Sequence, residues 1–220
     1  MIRFYFILFL FFSFRLFADA DAEYENALRF LDSGKYKLAL AKFHQLQVNY
    51  PLSGAAMSAE LKISEINYRL GSYDDAIAAA ENYIRLHPGA QDLDHAYYLK
   101  ALSRYHSALS VEHDQRFSAR ALEELNEFCV AFPGSEYTAD IKTHYRKIRD
   151  LLSAKELYIA NFYLERKQYV SALTRLINLV EQYQDTVYYP NAVYYIAEIY
   201  KLFGLRQEAE WALQDKLKPE

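Results

Sequence analysis

GKYKLALAKFHQLQVNYP (Gly34–Pro51) and GSYDDAIAAAENYIRLHP (Gly71–Pro88) start 37 residues apart and agree at fixed places. From Gly34, residues Tyr36, Ala39, Phe43 and Pro51 stand at offsets 2, 5, 9 and 17; from Gly71, Tyr73, Ala76, Ala80 and Pro88 stand at the same offsets. Seven residues before each glycine is a small residue, Ala27 and Ser64. Two helices joined at the glycine explain the pattern. They approach closely only where side chains are small, which sets Ala27 against Ala39 and Ser64 against Ala76. Tyr36 and Tyr73 fill the space beside the turn, and proline ends the second helix.

The same register recurs downstream. Ala101, Ala121 and Pro133 make a third copy; Ala160, Tyr163, Tyr169 and Ala172 a fourth; Ala197, Tyr200, Gly204 and Ala209 a fifth. Ala76 to Ala121 spans 45 residues rather than 37, which predicts a loop of about eight extra residues around SVEHDQRF. Between the third and fourth copies, the stretch from about Ser135 to Arg166 is expected to open with Ser135 as N-cap and to hold one further helix. Gly34, Gly71 and Gly204 fall between paired helices, and Gly54, Gly89 and Gly134 just after prolines. Apolar residues such as Leu173, Leu176, Ile177 and Val180 keep helical spacing, and no alternating run suggests a strand. The expected fold is all-α: a tetratricopeptide-repeat helical solenoid of about five helix-turn-helix units.

The chain has 220 residues, enough for a core without metals or disulfides, and a formal net charge of -4 that argues against a nucleic-acid surface. Arg3, an apolar run from Phe4 to Phe14, and then ADADA form the layout of a secretory signal. Residues 1–20 are read as a signal peptide cut after Ala20, and loss of Arg3, Arg15 and Asp19 takes the charge from -4 to -5. Arg15 interrupts the apolar run before the roughly 20 residues that a membrane span needs. The single cysteine, Cys129, is expected to be a small core residue.

Catalytic constellations are missing from the sequence. The six histidines are scattered, His106 and His113 lack metal-ligand spacing, and no glycine-rich phosphate loop is present. No catalytic, cofactor-binding or metal-binding residue is assigned, and no cofactor is expected. A binding surface is what the pattern offers. In stacked helix pairs the first helices line the concave face, and their residues not used for packing point into it. Those positions include Tyr24, Leu28, Leu61, Tyr68, Arg69, Tyr98, Tyr105 and His106. Tyrosine suits an extended peptide, because its apolar face and hydroxyl bind at low entropic cost. Arg69 could hold a carboxylate.

The chain from Ala22 onward resembles the BamD family, the tetratricopeptide subunit of the bacterial outer-membrane β-barrel assembly (BAM) complex. The motifs that carry this are LHP followed by D-x-A-Y-Y-L-K (Leu86 to Lys100) and Y-V-x-A-x-x-R (Tyr169 to Arg175), with FPGSEYTADI between them. The resemblance implies a non-enzymatic scaffold with five repeats, arranged as one superhelical domain over residues 21–220. Repeats in about 21–133 would bind unfolded barrel precursors, and those in about 134–220 would dock the POTRA domains of the barrel-forming subunit BamA. Arg175 matches the family arginine that faces that subunit. Location at the periplasmic face of the outer membrane of a Gram-negative bacterium, peripheral to the bilayer, is implied as well. The family's lipid-bearing cysteine has no counterpart after Ala20, so retention is expected through partners, an uncleaved signal or a different start. The alternative is a periplasmic repeat protein that coordinates cell-wall synthesis or envelope constriction; such proteins usually carry a coiled coil before their repeats, and none precedes Glu23.

Overall fold

The structure, a computed structural model, describes residues 19–110 and 115–215. The signal-peptide reading therefore lies, but for its last two residues, outside the described residues, as do Glu112, His113 and Asp114. Among the described residues every regular element is an α-helix. They are α1 (residues 19–32), α2 (Tyr36–Asn49), α3 (Gly54–Leu70), α4 (Tyr73–Leu86), α5 (Leu93–Ser110), α6 (Gln115–Ala131), α7 (Thr138–Glu165), α8 (Tyr169–Gln182), α9 (Tyr189–Leu202) and α10 (Arg206–Asp215). Taken in order they form five pairs, as the spacing predicts.

The small-residue register is where each pair closes. Ala27, Ala39, Ser64, Ala76, Ala121, Ala160, Ala172 and Ala197 are all fully buried, with Ala101 and Ala209 at 1% exposure. Ser64 also donates its hydroxyl to the Ala76 carbonyl at 2.8 Å. Larger side chains fill the space on either side. Phe43, Leu46 and Ile66 anchor the core of the first repeats; Leu176, Leu179 and Ile199 anchor that of the last.

Within four of the pairs the turn has one geometry. Gly34, Gly71, Lys167 and Gly204 adopt φ of 71°, 77°, 58° and 80°. The next residue's amide reaches back five positions: Lys35 to the Phe30 carbonyl, Ser72 to Asn67, Gln168 to Tyr163 and Leu205 to Tyr200, all at 2.9–3.0 Å. This left-handed cap satisfies carbonyls at the end of the first helix. Glycine reaches it without Cβ strain, whereas Lys167 does not.

The turns between repeats also recur. Tyr50, His87, Phe132 and Tyr183 close their helices by donating an amide to the residue four back. A hydroxyl then returns to the freed carbonyl: Ser53 to Tyr50 at 2.8 Å, Thr138 to Phe132 at 2.8 Å and Thr186 to Tyr183 at 2.8 Å.

Four expectations change. Residues 138–165 form one continuous helix of 28 residues, not two, because no glycine or proline interrupts them. Ser135 does not cap α7; it sits in the preceding turn and donates to Asp94 Oδ2 at 2.6 Å. The extra length of the third repeat is partly helical, since α6 spans 17 residues against 14 in α2, α4 and α8. Cys129 is half-buried. The chain forms two compact units, one ending at Ile141 and the other starting at Lys142.

Candidate functional site

In the N-terminal unit the first helices of successive repeats bring aromatic rings together. On α5, Tyr98 stacks on Tyr137 with centroids 4.3 Å apart and planes 22° from parallel. His95, one turn earlier, stacks on the same Tyr137 at 5.3 Å. The Tyr98 hydroxyl donates to Asp140 Oδ2 at 3.1 Å. Burial, then the Asp140 carboxylate, pushes the Tyr98 phenol well above its ordinary value. It therefore stays a neutral donor at any physiological pH.

A second ring group lies nearer the intra-repeat turn. Tyr68 of α3 meets His106 of α5 at 5.7 Å, and Tyr73, the first residue of α4, stacks on His106 at 5.4 Å. Tyr105 meets His106 edge-on at 5.2 Å. The rings of Tyr68, Tyr73 and His106 thus close the space between α3, α4 and α5. Burial raises the Tyr68 phenol, with Tyr73 and Asp140 adding to it.

The other positions fall into three situations. Tyr24 is half-buried, packed tilted on Phe43 at 5.5 Å. Leu61 and Tyr105 are 5% and 6% exposed, so they pack inside the repeats, and Leu61 joins Tyr83, Ala96 and Leu99 in one cluster. Arg69 is exposed but engaged: its guanidinium holds Glu65 at 2.7 Å and lies over the Tyr36 ring at 5.9 Å. Lys62 takes the other Glu65 oxygen at 2.8 Å. Burial works against the charged Glu65, yet the bonds from Lys62 and Arg69 hold its carboxyl below the usual range. Arg69 thus already binds a carboxylate, one belonging to its own helix.

Sequence reasoning missed Tyr137, His95 and Tyr73 as members of these ring groups. Tyr137 was detectable in principle, since it immediately precedes the first helix of the fourth repeat. The expectation that this helix begins at Ser135 hid its register. Asp92 and Asp94, in and just after the turn that follows Pro88, also belong here. They take hydroxyl donors, Tyr83 and Ser135 respectively, rather than cations.

In the C-terminal unit Arg175 is half-buried on α8 and pairs with Glu156 of α7 at 3.4 Å. Glu156 is 6% exposed. Arg175 is therefore the ion-pair partner that a buried carboxylate finds among the described residues. Among the described residues no cluster of His, Cys, Asp and Glu could hold a metal, and no helix is long and apolar enough to cross a membrane.

A family model described as YfiO, outer membrane lipoprotein, matches residues 18–215. The chain belongs to the YfiO family. Its relatives include the outer membrane protein assembly factor BamD of Rickettsia prowazekii, 31% identical over 187 residues, which are 85% of this chain and 74% of the relative. BamD of Caulobacter vibrioides is 29% identical over 180 residues, 82% of this chain and 59% of the relative. BamD of Neisseria meningitidis serogroup A is 27% identical over 205 residues, 89% of this chain and 74% of the relative. This member of the YfiO family thus spans 59–74% of the length of these relatives. The family expected from the Y-V-x-A-x-x-R and D-x-A-Y-Y-L-K motifs is the family found. Among solved structures, a tetratricopeptide-repeat protein of Thermus thermophilus has a TM-score of 0.46 at 16% identity, covering 90% of each chain. One from Parabacteroides merdae has a TM-score of 0.44 at 13% identity, covering 91% of this chain and 80% of its own.

Proposed function

We propose that this chain is a non-enzymatic scaffold subunit of the outer-membrane β-barrel assembly machinery, exported and peripheral to the periplasmic face of the outer membrane. Its N-terminal repeats cradle extended segments of unfolded barrel precursors. Its C-terminal repeats dock the POTRA domains of the barrel-forming subunit BamA. Membership of the YfiO family and the role of its BamD relatives as assembly factors support the assembly function.

The observation that carries the precursor-binding part is the stack of Tyr98 and His95 on Tyr137. These rings are half-buried, so each keeps part of its face and edge for a ligand, and the packing beneath fixes its orientation in advance. Rigid tyrosines lose little entropy on binding, and their hydroxyls can bond a peptide backbone. The experiment is titration of a fluorescent peptide from the C-terminus of a barrel protein. Tyr98→Ala and Tyr137→Ala are expected to weaken it by about 1–2 kcal/mol each, roughly 5- to 30-fold. Unchanged affinity in both variants removes this face from consideration.

A further inference from the structure

Helix α7 carries an exposed apolar line in the C-terminal unit. Leu151, Tyr158 and Phe162 are 49%, 74% and 45% exposed. Spaced by seven and four residues, they fall within about 40° of one another at 3.6 residues per turn. The helix commits the opposite face to the core, where Ser153, Leu157 and Ala160 are buried. The line is therefore a second face of α7, distinct from the one that builds the repeat.

Each end carries a base. Lys147 extends the line toward the helix start. Arg166 closes the far end, its guanidinium 3.5 Å from the centre of the Phe162 ring and bonded to the Phe162 carbonyl at 3.0 Å. Residues 142–149 hold four Lys and Arg and no acid. Lys147 is exposed on the side of the line and makes no ion pair among the described residues; Lys142 and Arg146 lie about 120° or more from Tyr158 around the helix, and Arg149 is turned aside to Asp185 at 2.9 Å. Residues 142–220 as a whole carry 12 Lys and Arg against 10 Asp and Glu, whereas residues 1–141 carry 13 against 19.

We propose that this seam docks an amphipathic helix of negative net charge from another polypeptide. A single-file line with seven- and four-residue spacing is the narrow seam of a helix–helix contact. A bilayer surface would call for a broader apolar face. A second copy would bring the same bases to the contact, setting Lys147 against Lys147 or Arg166 in a two-fold pairing. An acidic helix satisfies both features: apolar knobs for Leu151, Tyr158 and Phe162, and carboxylates for Lys147 and Arg166 at the two ends of the line. The seam is independent of the peptide-binding face, which lies in the other unit, and of Arg175, which is turned to Glu156.

A photo-reactive phenylalanine analogue placed at position 158 of the full chain, in cells, reads out the occupant by mass spectrometry of the cross-linked segment. The expected result is one dominant polypeptide segment with apolar residues three and four apart and an excess of Asp and Glu. The double substitution Lys147→Glu, Arg166→Glu should cut that cross-link at least tenfold, with the helical circular dichroism unchanged, and Lys147→Arg should retain it. Cross-links to lipid, to a second copy or to a segment without those features overturn the proposal. So does a yield that ignores the charge reversal or does not exceed that from exposed Lys37.

Discussion

The Ser64 hydroxyl reaches the Ala76 carbonyl at 2.8 Å where α3 crosses α4, at the position that alanine fills in the other four repeats. The bond links two helix backbones through the smallest polar side chain that can span the gap. Ser64→Ala should cost about 0.5–1.5 kcal/mol, since the Ala76 carbonyl lies in a helix and can bond within it. Ser64→Leu should cost more, about 1–3 kcal/mol or above, by forcing the helices apart. Urea unfolding followed by circular dichroism measures both; a leucine variant as stable as wild type would remove the crossing point.

Lys167 is the only non-glycine among the described residues with positive φ, at 58°. Lys167→Gly should stabilise the C-terminal unit by up to about 1 kcal/mol, because the left-handed conformation costs an L-residue about 1–2 kcal/mol and glycine returns part of that as backbone entropy. Gly71→Ala, at φ 77° with open space around the added Cβ, should destabilise by about 1 kcal/mol through backbone strain alone. Opposite signs in the two melting temperatures are the check.

Arg175 faces the buried Glu156, so its substitution acts on stability before any effect on a partner. The pair is partly open to water, with the arginine side chain 41% exposed, which limits the loss for Arg175→Ala to about 1–2 kcal/mol. Adding Glu156→Gln to Arg175→Gln should recover most of that loss by removing the stranded charge. If the double variant regains the wild-type melting temperature and still fails to bind POTRA domains, Arg175 contributes to docking; full binding would leave it a structural residue.

Burial lowers the His95 pKa below its ordinary 6.5; Glu65 opposes this, Lys62 adds to it, and Asp92 and Asp94 oppose it. The ring is thus neutral in the fold at a pH where the unfolded chain has taken up a proton. Its contribution to stability is complete above about pH 6.5 and declines as pH falls through the unfolded value toward the lower folded one. The His95→Asn variant should show a shallower loss of stability between pH 7.5 and pH 5.5 than the wild type, measured as urea midpoints. Identical slopes would mean that His95 does not titrate with folding.

The repeat was legible because its signals are backbone signals. Gly34, Gly71 and Gly204 mark left-handed turns, and alanines 37 residues apart mark where helices touch; both depend on local geometry that one residue type satisfies best. Lys167 broke the glycine rule, yet the flanking Tyr163, Tyr169 and Ala172 kept that repeat visible. The binding face was only half legible. Helical register put Tyr68, Tyr98 and Tyr105 on first helices, but register alone does not separate a ring in the core, as Tyr105 is, from one stacked at its margin, as Tyr98 is. That depends on the neighbouring repeat, which supplies Tyr137 to stack on Tyr98, whereas Tyr105 is buried and meets His106 of its own helix edge-on. Arg69 and Arg175 were read as available cations; Glu65, one turn before Arg69, was a visible partner, whereas Glu156 lies 19 positions from Arg175 on another helix.

The four matching left-handed corners make the architecture editable in whole modules. Excising residues 35–71 would join Gly34 directly to Ser72, so the shortened protein would keep an intact corner and an unbroken sequence of alanine contacts. A cut that shifts the register inside these helices would bring a different side chain to the place where two rods meet. Whole-module editing therefore preserves every crossing, while odd lengths must be absorbed between helices.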